Sequence, residues 1–361
     1  MTRRIRTSVE DGQRLVWFED TACALSGVIA IDSLALGPAA GGCRFWHYDD
    51  AKSLLLDARR LARGMSYKNA LAGLPFGGGK SVIRLPEGEF DREALFRSYG
   101  HVLNELKGDY LAAEDVGTSP RDMESVRSAT PFVFGLPPVG TAAGGDPSPW
   151  TALGVFLCIE TVLARRGLPL AGCRIAVQGL GHVGADLCRR LHERGAKLVV
   201  ADIRKEAVAR LLAAIPAEVV STDRIYCSEV ELFAPCALGG GLNQETIPDI
   251  RAAMIVGAAN NQLATAADEA RLHSRGILYA PDYIVNAGGI INVAAEYLGQ
   301  DQGEVLIRVH RIPDRLAAIL GRAEATGRSP SDIADAMARD LIEAAFPTAP
   351  KQKAYASSLA T

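Results

Sequence analysis

The chain has 361 residues, enough for two domains of ordinary size, each with its own core. With 48% apolar and 22% charged residues it has a globular composition. Its net charge of −3 gives no electrostatic reason to expect nucleic acid or an anionic membrane as a partner.

In chain order, the apolar runs Leu15-Val16-Trp17-Phe18 and Val28-Ile29-Ala30-Ile31 predict neighbouring strands. Gly37-Pro38-Ala39-Ala40-Gly41-Gly42 then reads as a loop able to offer backbone N–H groups to an anion, followed by Arg44. Asp49 or Asp50 caps a helix in which Leu54, Ala58, Leu61, Ala62 and Met65 recur at helical spacing, with Lys68 one turn beyond. Gly77-Gly78-Gly79 is expected to be a turn that something approaches closely, with Lys80 held near a cleft because its flanks are apolar. A short strand follows over 81–85, a helix over 93–106, and then a strand from Tyr110 that ends in Glu114, Asp115 and Gly117.

The Gly/Pro-rich stretch 136–149 predicts the crossing between domains. Beyond it the rhythm changes. A buried-strand run over 174–178, a glycine-rich turn, helical spacing over 185–194 and a strand over 197–201 follow. Shorter apolar runs at 231–237, 254–257 and 277–280 alternate with helices, which predicts a doubly wound parallel sheet. The helical stretch 304–325 carries Pro313, expected to kink or split it. Ser329-Pro330 opens another helix, and the tail from Lys351 is small and polar.

Three groups of residues carry chemistry. Gly179-Leu180-Gly181-His182-Val183-Gly184 fits GxGxxG with a strand before it and a helix after it. Its glycines would make the tight turn, admit a pyrophosphate and let helix and strand pack. Asp202, at the end of the next strand, would bind adenosine ribose hydroxyls and so favour NAD over NADP, although Arg204 nearby is a residue type that accepts a 2′-phosphate. Lys68 and Lys80, if they share a cleft, would destabilise each other's charge. One could then serve as general base while the other holds a carboxylate, and Asp115 could relay protons or hold an ammonium group. Asn260-Asn261, just past a buried strand, read equally as turn residues or as part of the crevice at the sheet's carboxyl edge. The seven cysteines have no CxxC spacing and the six histidines no ligand pairing, which predicts reduced core thiols, no metal site and a cytoplasmic protein. The basic opening Met1-Thr2-Arg3-Arg4-Ile5-Arg6 lacks the apolar stretch of a secretory signal, and no run approaches the ~20 apolar residues of a membrane span.

Together these segments resemble the glutamate/leucine/phenylalanine/valine dehydrogenase family, in its leucine, phenylalanine and valine branch, over about residues 28–298. The resemblance rests on residues 37–44, 61–83, 113–118, 233–239, 257–263 and 279–289. It implies an α/β fold of two domains: a catalytic and oligomerisation domain over 1–145, rejoined by a C-terminal helix over 326–361, and a Rossmann NAD domain over 146–325. The implied activity is NAD-dependent oxidative deamination of an apolar L-amino acid to the 2-oxo acid and ammonia, and the reverse amination, in a homo-oligomer whose cleft closes to exclude water. By that resemblance Lys80 is the catalytic lysine that activates water, and Asp115 exchanges protons at the amino nitrogen. Lys68, the N–H of Gly41 and Asn261 hold the substrate carboxylate, and Ala40, Ala113, Phe134 and Ile290 line the side-chain pocket. Arg44, Thr151, His182, Val183, Ile203, Ala237, Leu238 and Asn260 join the glycines and Asp202 around the cofactor. Ala40 and Phe132-Val133-Phe134-Gly135 look like phenylalanine dehydrogenases, whereas Trp46, Ala113 and residues 243–248 look leucine-like. The alternatives are a catalytically silent NAD-binding regulatory protein, which would need neither lysine, and a dehydrogenase of another small acid, for which no His–carboxylate pair stands out.

Overall fold

Strand alternation sets how the first sheet is covered. On β2 (Gln13–Asp20) Leu15 faces one side while Val16 and Phe18 face the other. On β3 (Leu25–Ser33) Val28 and Ala30 oppose Ile29 and Ile31 in the same way. The computed structural model describes residues 3–136, 140 and 142–345. Its six-stranded sheet runs β1-β2-β3-β5-β4-β6, with β1 (Arg3–Glu10), β4 (Ala39–Trp46), β5 (Gly77–Arg84) and β6 (Tyr110–Glu114). β1, β2, β3 and β5 pair antiparallel, whereas β4 lies parallel to both β5 and β6. Helix α1 (Ala51–Leu71) lays Leu54, Ala58 and Ala62 on one face, and Asp50 caps it by accepting from the Ser53 N–H. Helix α2 (Arg92–Glu105) covers the other face with Leu95, Phe96, Tyr99, Val102 and Leu103, joined there by Met123 and Val126 of α3 (Pro120–Arg127).

Two sequence expectations fail here. Gly77-Gly78-Gly79 is strand, not turn, and has no left-handed φ. The stretch from Ala39 to Gly42 is likewise the start of β4 rather than a loop. The reason lies in packing. A Cβ on Gly78 would stand 2.1 Å from the Ser66 backbone nitrogen of α1, one on Gly79 2.7 Å from the Tyr110 ring, and one on Gly77 1.9 Å from the Ser33 carbonyl oxygen. These glycines let the chain approach itself.

The second sheet is parallel throughout, in the order β12-β11-β10-β7-β8-β9. Its elements follow α4 (Ser148–Arg165), a helix that opens inside the stretch read as a crossing. They are β7 (Arg174–Gln178), α5 (His182–Glu193), β8 (Lys197–Ala201), α6 (Lys205–Leu212), β9 (Glu218–Val219), β10 (Leu232–Pro235), β11 (Met254–Ile255), α7 (Ala267–Ser274) and β12 (Leu278–Tyr279). The strand order reverses between β7 and β10, the point at which such sheets open a crevice beyond their carboxyl ends. The chain finishes in α8 (Asp282–Val285), α9 (Gly288–Tyr297), α10 (Gln302–Val309), α11 (Ile312–Thr326) and α12 (Pro330–Ala344). Pro313 does divide the expected helix: it sits in the first turn of α11, where its missing N–H breaks no bond.

The chain forms two compact units: Met1–Gly145 with Val293–Asp301 and the residues from Met337, and Asp146–Asn292 with Gln302–Ala336. No helix among the described residues is long and apolar enough to cross a membrane. Pro137, Pro138 and Val139 of the expected crossing, and the tail from Lys351, lie outside the described residues.

Candidate functional site

In the first unit the polar chemistry gathers where the three parallel strands β5, β4 and β6 run side by side. Lys80 lies on the α1 face of β5, only 6% exposed, and its Nζ forms an ion pair with Asp115 Oδ2, just past the end of β6. To reach it, the lysine crosses β4 at Gly42. A Cβ there would stand 3.1 Å from Lys80 Nζ and 2.6 Å from Asp115 Cβ. The Asp115 turn is pinned by Thr118, whose Oγ1 accepts from the Asp115 N–H and also reaches the Cys43 carbonyl.

Arg44 completes the cluster, with Nε 3.6 Å from Asp115 and Nη1 2.8 Å from Asp57 of α1. Burial pushes the Asp115 carboxyl up, but the Lys80 and Arg44 cations outweigh it and hold Asp115 below the usual carboxylate range. Asp115 is therefore an anion at neutral pH, and a buried amine against it can pass or receive a proton over a short path. Cys43, beneath this cluster, is pushed up to about 12 by burial and stays a thiol.

The space around Lys80 is lined by small groups. Ala40 and Ala113 lie on the same strand faces and are buried. Lys68 is half-buried in the last turn of α1, one turn past Met65, whose Cγ would lie 3.3 Å from a Cβ on Gly41. The adjacent Asn69 is fully buried and donates to the Gly77 carbonyl at 2.6 Å and to that of Ala40 at 3.4 Å, tying α1 to both strands. Phe134 is 1% exposed and stacks edge-on with Phe76 and Tyr297 at 6.1 and 5.1 Å, an aromatic triad inside the unit.

The second unit carries the glycine turn at the β7–β10 reversal. Gly179 has φ +93° and would place a Cβ 2.7 Å from the Ala237 N–H nitrogen, while one on Gly184 would fall 1.9 Å from the Gly179 carbonyl oxygen. Gly181, which caps α5, differs: the nearest atom to its Cβ position is an Arg204 nitrogen at 3.9 Å. Backbone there lies open at a helix N-terminus, as an approaching pyrophosphate requires. Asp202 follows β8 and accepts from the N–H groups of Leu180 (2.6 Å) and Arg204 (2.7 Å), with Arg204 Nε at 3.3 Å. Burial pushes Asp202 up, but these donors and the guanidinium outweigh it and keep it below the usual carboxylate range. Two large apolar side chains stand almost wholly exposed on the loops of this crevice, Ile203 at 84% and Leu238 at 85%. Two such surfaces at strand ends suit the faces of a planar ring.

His182 and Val183 open α5, and the imidazole is exposed 3.6 Å from Asp146. Thr151 lies in the first turn of α4, and its Oγ1 would be 2.8 Å from a Cβ on Gly289. Ile290 is half-buried in the first turn of α9. Asn260 accepts from Asn286 at 2.8 Å, and Asn261 adopts φ +52°, an uncommon conformation that asparagine tolerates. Sequence reading passed over the residues that shape this loop: Gln262 donates to the Gly257 and Ala259 carbonyls, and Asp282 accepts from the Gln262 N–H. It also passed over Asp57 and Asn69.

Comparison with known proteins bears on both units. Residues 14–131 match the family model described as Glu/Leu/Phe/Val dehydrogenase, dimerisation domain. Residues 146–208 and 201–345 match that described as Glutamate/Leucine/Phenylalanine/Valine dehydrogenase. The chain is 43% identical over 335 residues to a leucine dehydrogenase of Geobacillus stearothermophilus, covering 92% of this chain and 91% of that protein. It is 42% identical over 335 residues to a valine dehydrogenase of Streptomyces albus, covering 91% and 92%. Its structure matches the crystal structure of L-tryptophan dehydrogenase from Nostoc punctiforme with a TM-score of 0.82 at 38% identity, over 93% of this chain and 98% of that one.

Proposed function

The chain belongs to the Glutamate/Leucine/Phenylalanine/Valine dehydrogenase family, and from that premise we propose that it oxidatively deaminates an apolar L-amino acid to the 2-oxo acid and ammonia, with NAD, and runs the reverse amination. The observation that carries this reading is the buried Lys80–Asp115 ion pair, roofed by a strand that is glycine where the lysine crosses it.

In this reading Lys68, the N–H of Gly41 and Asn261 hold the substrate carboxylate. The small residues Ala40 and Ala113 leave room for an apolar side chain, Ile290 adds to the pocket wall, and Phe134 backs it from the aromatic triad. No cation is added there for a side-chain carboxylate, which argues against glutamate. When bound, NAD supplies the hydride acceptor at nicotinamide C4. Asp115 would take the proton released from the substrate nitrogen as the C=N bond forms. Lys80, in its neutral form, would take a proton from water as its oxygen attacks the imino carbon, return that proton to the nitrogen, and accept the hydroxyl proton as the C=O bond forms and ammonia leaves.

On the cofactor side Gly179, Gly181, His182, Val183 and Gly184 would cradle the pyrophosphate, and Asp202 the ribose hydroxyls. Ile203 and Leu238 would flank adenine, while Ala237, Asn260, Thr151 and Arg44 take the remaining contacts. A carboxylate kept ionised at the end of β8 supports NAD over NADP. The match to a dimerisation domain supports a homo-oligomer, and seven free cysteines support a reducing cytoplasm. The front unit would serve as catalytic and oligomerisation domain and the back unit as cofactor domain.

The test is NADH formation at 340 nm across leucine, valine, isoleucine, phenylalanine, tryptophan and glutamate. Turnover with one or more apolar amino acids and none with glutamate is expected. Cofactor binding with no turnover on any of them would favour a silent NAD-binding protein instead.

A further inference from the structure

β4 is crossed twice at Gly41–Gly42, once on each face of the sheet. On the α1 face Lys80 passes from β5 over Gly42 to Asp115. On the α2 face Tyr110 passes the other way, from β6 beneath β4, until its ring lies against Gly79 of β5, where a Cβ would be 2.7 Å from the ring. Its hydroxyl ends between the two strands. It accepts from the Ser81 N–H at 3.0 Å and donates to the Gly41 carbonyl at 2.9 Å, with the Gly42 carbonyl at 3.3 Å as alternative acceptor. The parallel register is kept but the ladder opens at this place. Ala39 and Ala40 pair with Gly77 and Gly78, and pairing resumes at Cys43 with Ser81, leaving Gly41 and Gly42 unpaired across from Gly79 and Lys80. The phenol thus stands in for backbone bonds that the open ladder lacks.

We propose that Tyr110 is the positioning residue of the lysine–aspartate pair: its hydroxyl props β4 apart from β5 and fixes the separation at which Lys80 reaches Asp115 across Gly42. This rests on the reading of Lys80 and Asp115 as the reacting groups. The tyrosine touches neither substrate nor cofactor. It is fully buried, and its partners are the Ser81 N–H, the Gly41 and Gly42 carbonyls and, at 3.3 Å, Ser81 Oγ. Without the hydroxyl, the Ser81 N–H and the Gly41 carbonyl would be left unpaired in the core, and the cheapest relief is for the strands to close on each other. That closure would carry Gly42 into the path of the amine. A displacement on the order of 1 Å at a reacting group costs about 100-fold in rate.

Tyr99 supplies the control. It too is a fully buried tyrosine with its hydroxyl in the same network, but that hydroxyl donates to a side chain, Ser81 Oγ at 2.6 Å, and not to main chain of β4 or β5. Tyr110→Phe and Tyr99→Phe should lower Tm to a similar degree. Only Tyr110→Phe should lower kcat, by about 10- to 100-fold, with Kd for NAD within about twofold of the parent. Its solvent isotope effect in D2O should rise as proton transfer through Lys80 and Asp115 becomes limiting, which lost stability alone would not produce. Unchanged kcat in Tyr110→Phe, or an equal fall in Tyr99→Phe, overturns the proposal.

If Tyr110→Phe does not fold, Gly79→Ala replaces it, because the added methyl pushes the same ring from the β5 side. Full kcat there is equally fatal. Lys80→Ala run in parallel separates the two readings. Turnover lost in Lys80→Ala but kept in Tyr110→Phe removes only the role of Tyr110, whereas turnover kept in both removes the reading of the pair itself.

Discussion

Two glycine clusters dominate this sequence, and they do opposite things. In β5, the glycines at 77, 78 and 79 each face the protein's own atoms: the Ser33 carbonyl, the backbone of α1 and the Tyr110 ring. In the turn after β7, Gly179 and Gly184 also serve internal packing, but Gly181 faces nothing closer than 3.9 Å. A glycine run therefore says only that a Cβ is excluded. Whether the excluder is the fold or a ligand depends on what occupies the space, and only Gly181 leaves it open.

Substitutions sharpen that contrast. Gly78→Ala should have the largest effect on folding, because its methyl meets main-chain atoms of α1 at 2.1 and 2.5 Å that cannot rotate away. A loss of about 3 kcal/mol or more is expected, read as a collapse of soluble yield or of the urea midpoint. Gly181→Ala should leave Tm nearly unchanged, since its φ of −69° suits alanine and the space is empty. It should nevertheless weaken NAD binding by about 10-fold or more (~1.4 kcal/mol), measured by titration of cofactor fluorescence. Normal cofactor affinity in Gly181→Ala would erase the difference between the two clusters.

Asp202→Ser tests the same crevice from its rim. Losing the carboxylate should cut kcat/KM for NAD by about 10-fold and narrow the preference over NADP, because Arg204 is then left without its acidic neighbour. An unchanged NAD to NADP ratio would mean that discrimination lies elsewhere.

The smallest effect concerns Glu296, whose carboxylate accepts from the N–H groups of Gly135 and Leu136. Burial pushes Glu296 up by more than those donors lower it, so the folded state holds the proton more tightly than the unfolded chain. Its stabilising contribution is complete below the unfolded pKa of about 4 and is lost as pH rises through the folded one. Glu296→Gln should therefore raise Tm at pH 7 by about 2 °C and flatten its decline above pH 4. Parallel Tm–pH curves for the two proteins would contradict this.

Why some of this was legible in the sequence and some was not follows from range. The antiparallel pair β2–β3, the capped start of α1 and the strand–glycine–helix unit around Gly179 are written in local alternation and turn chemistry, and the structure has them within a few residues of expectation. Gly77–Gly79 could not be read locally, because Tyr110 and Ser66, which demand those glycines, lie 31 and 12 residues from Gly79 and Gly78 in the chain. The same holds for the site. Lys80 and Asp115 stood out as charges in apolar surroundings, but their ion pair depends on Gly42, on a third strand. Asp57, Asn69 and Gln262 act through side-chain bonds to Arg44, to Gly77 and Ala40, and to Gly257 and Ala259, which depend on how the chain folds back on itself.

The central claim is that the buried Lys80 amine performs the chemistry while the glycine crevice only holds the cofactor. Steady-state release of ammonia and 2-oxo acid by Lys80→Ala, measured with saturating NAD and an apolar amino acid, tests it most directly. Release at least about 100-fold slower, with the Kd for NAD unchanged, is the predicted result; release at the parent rate would contradict the account.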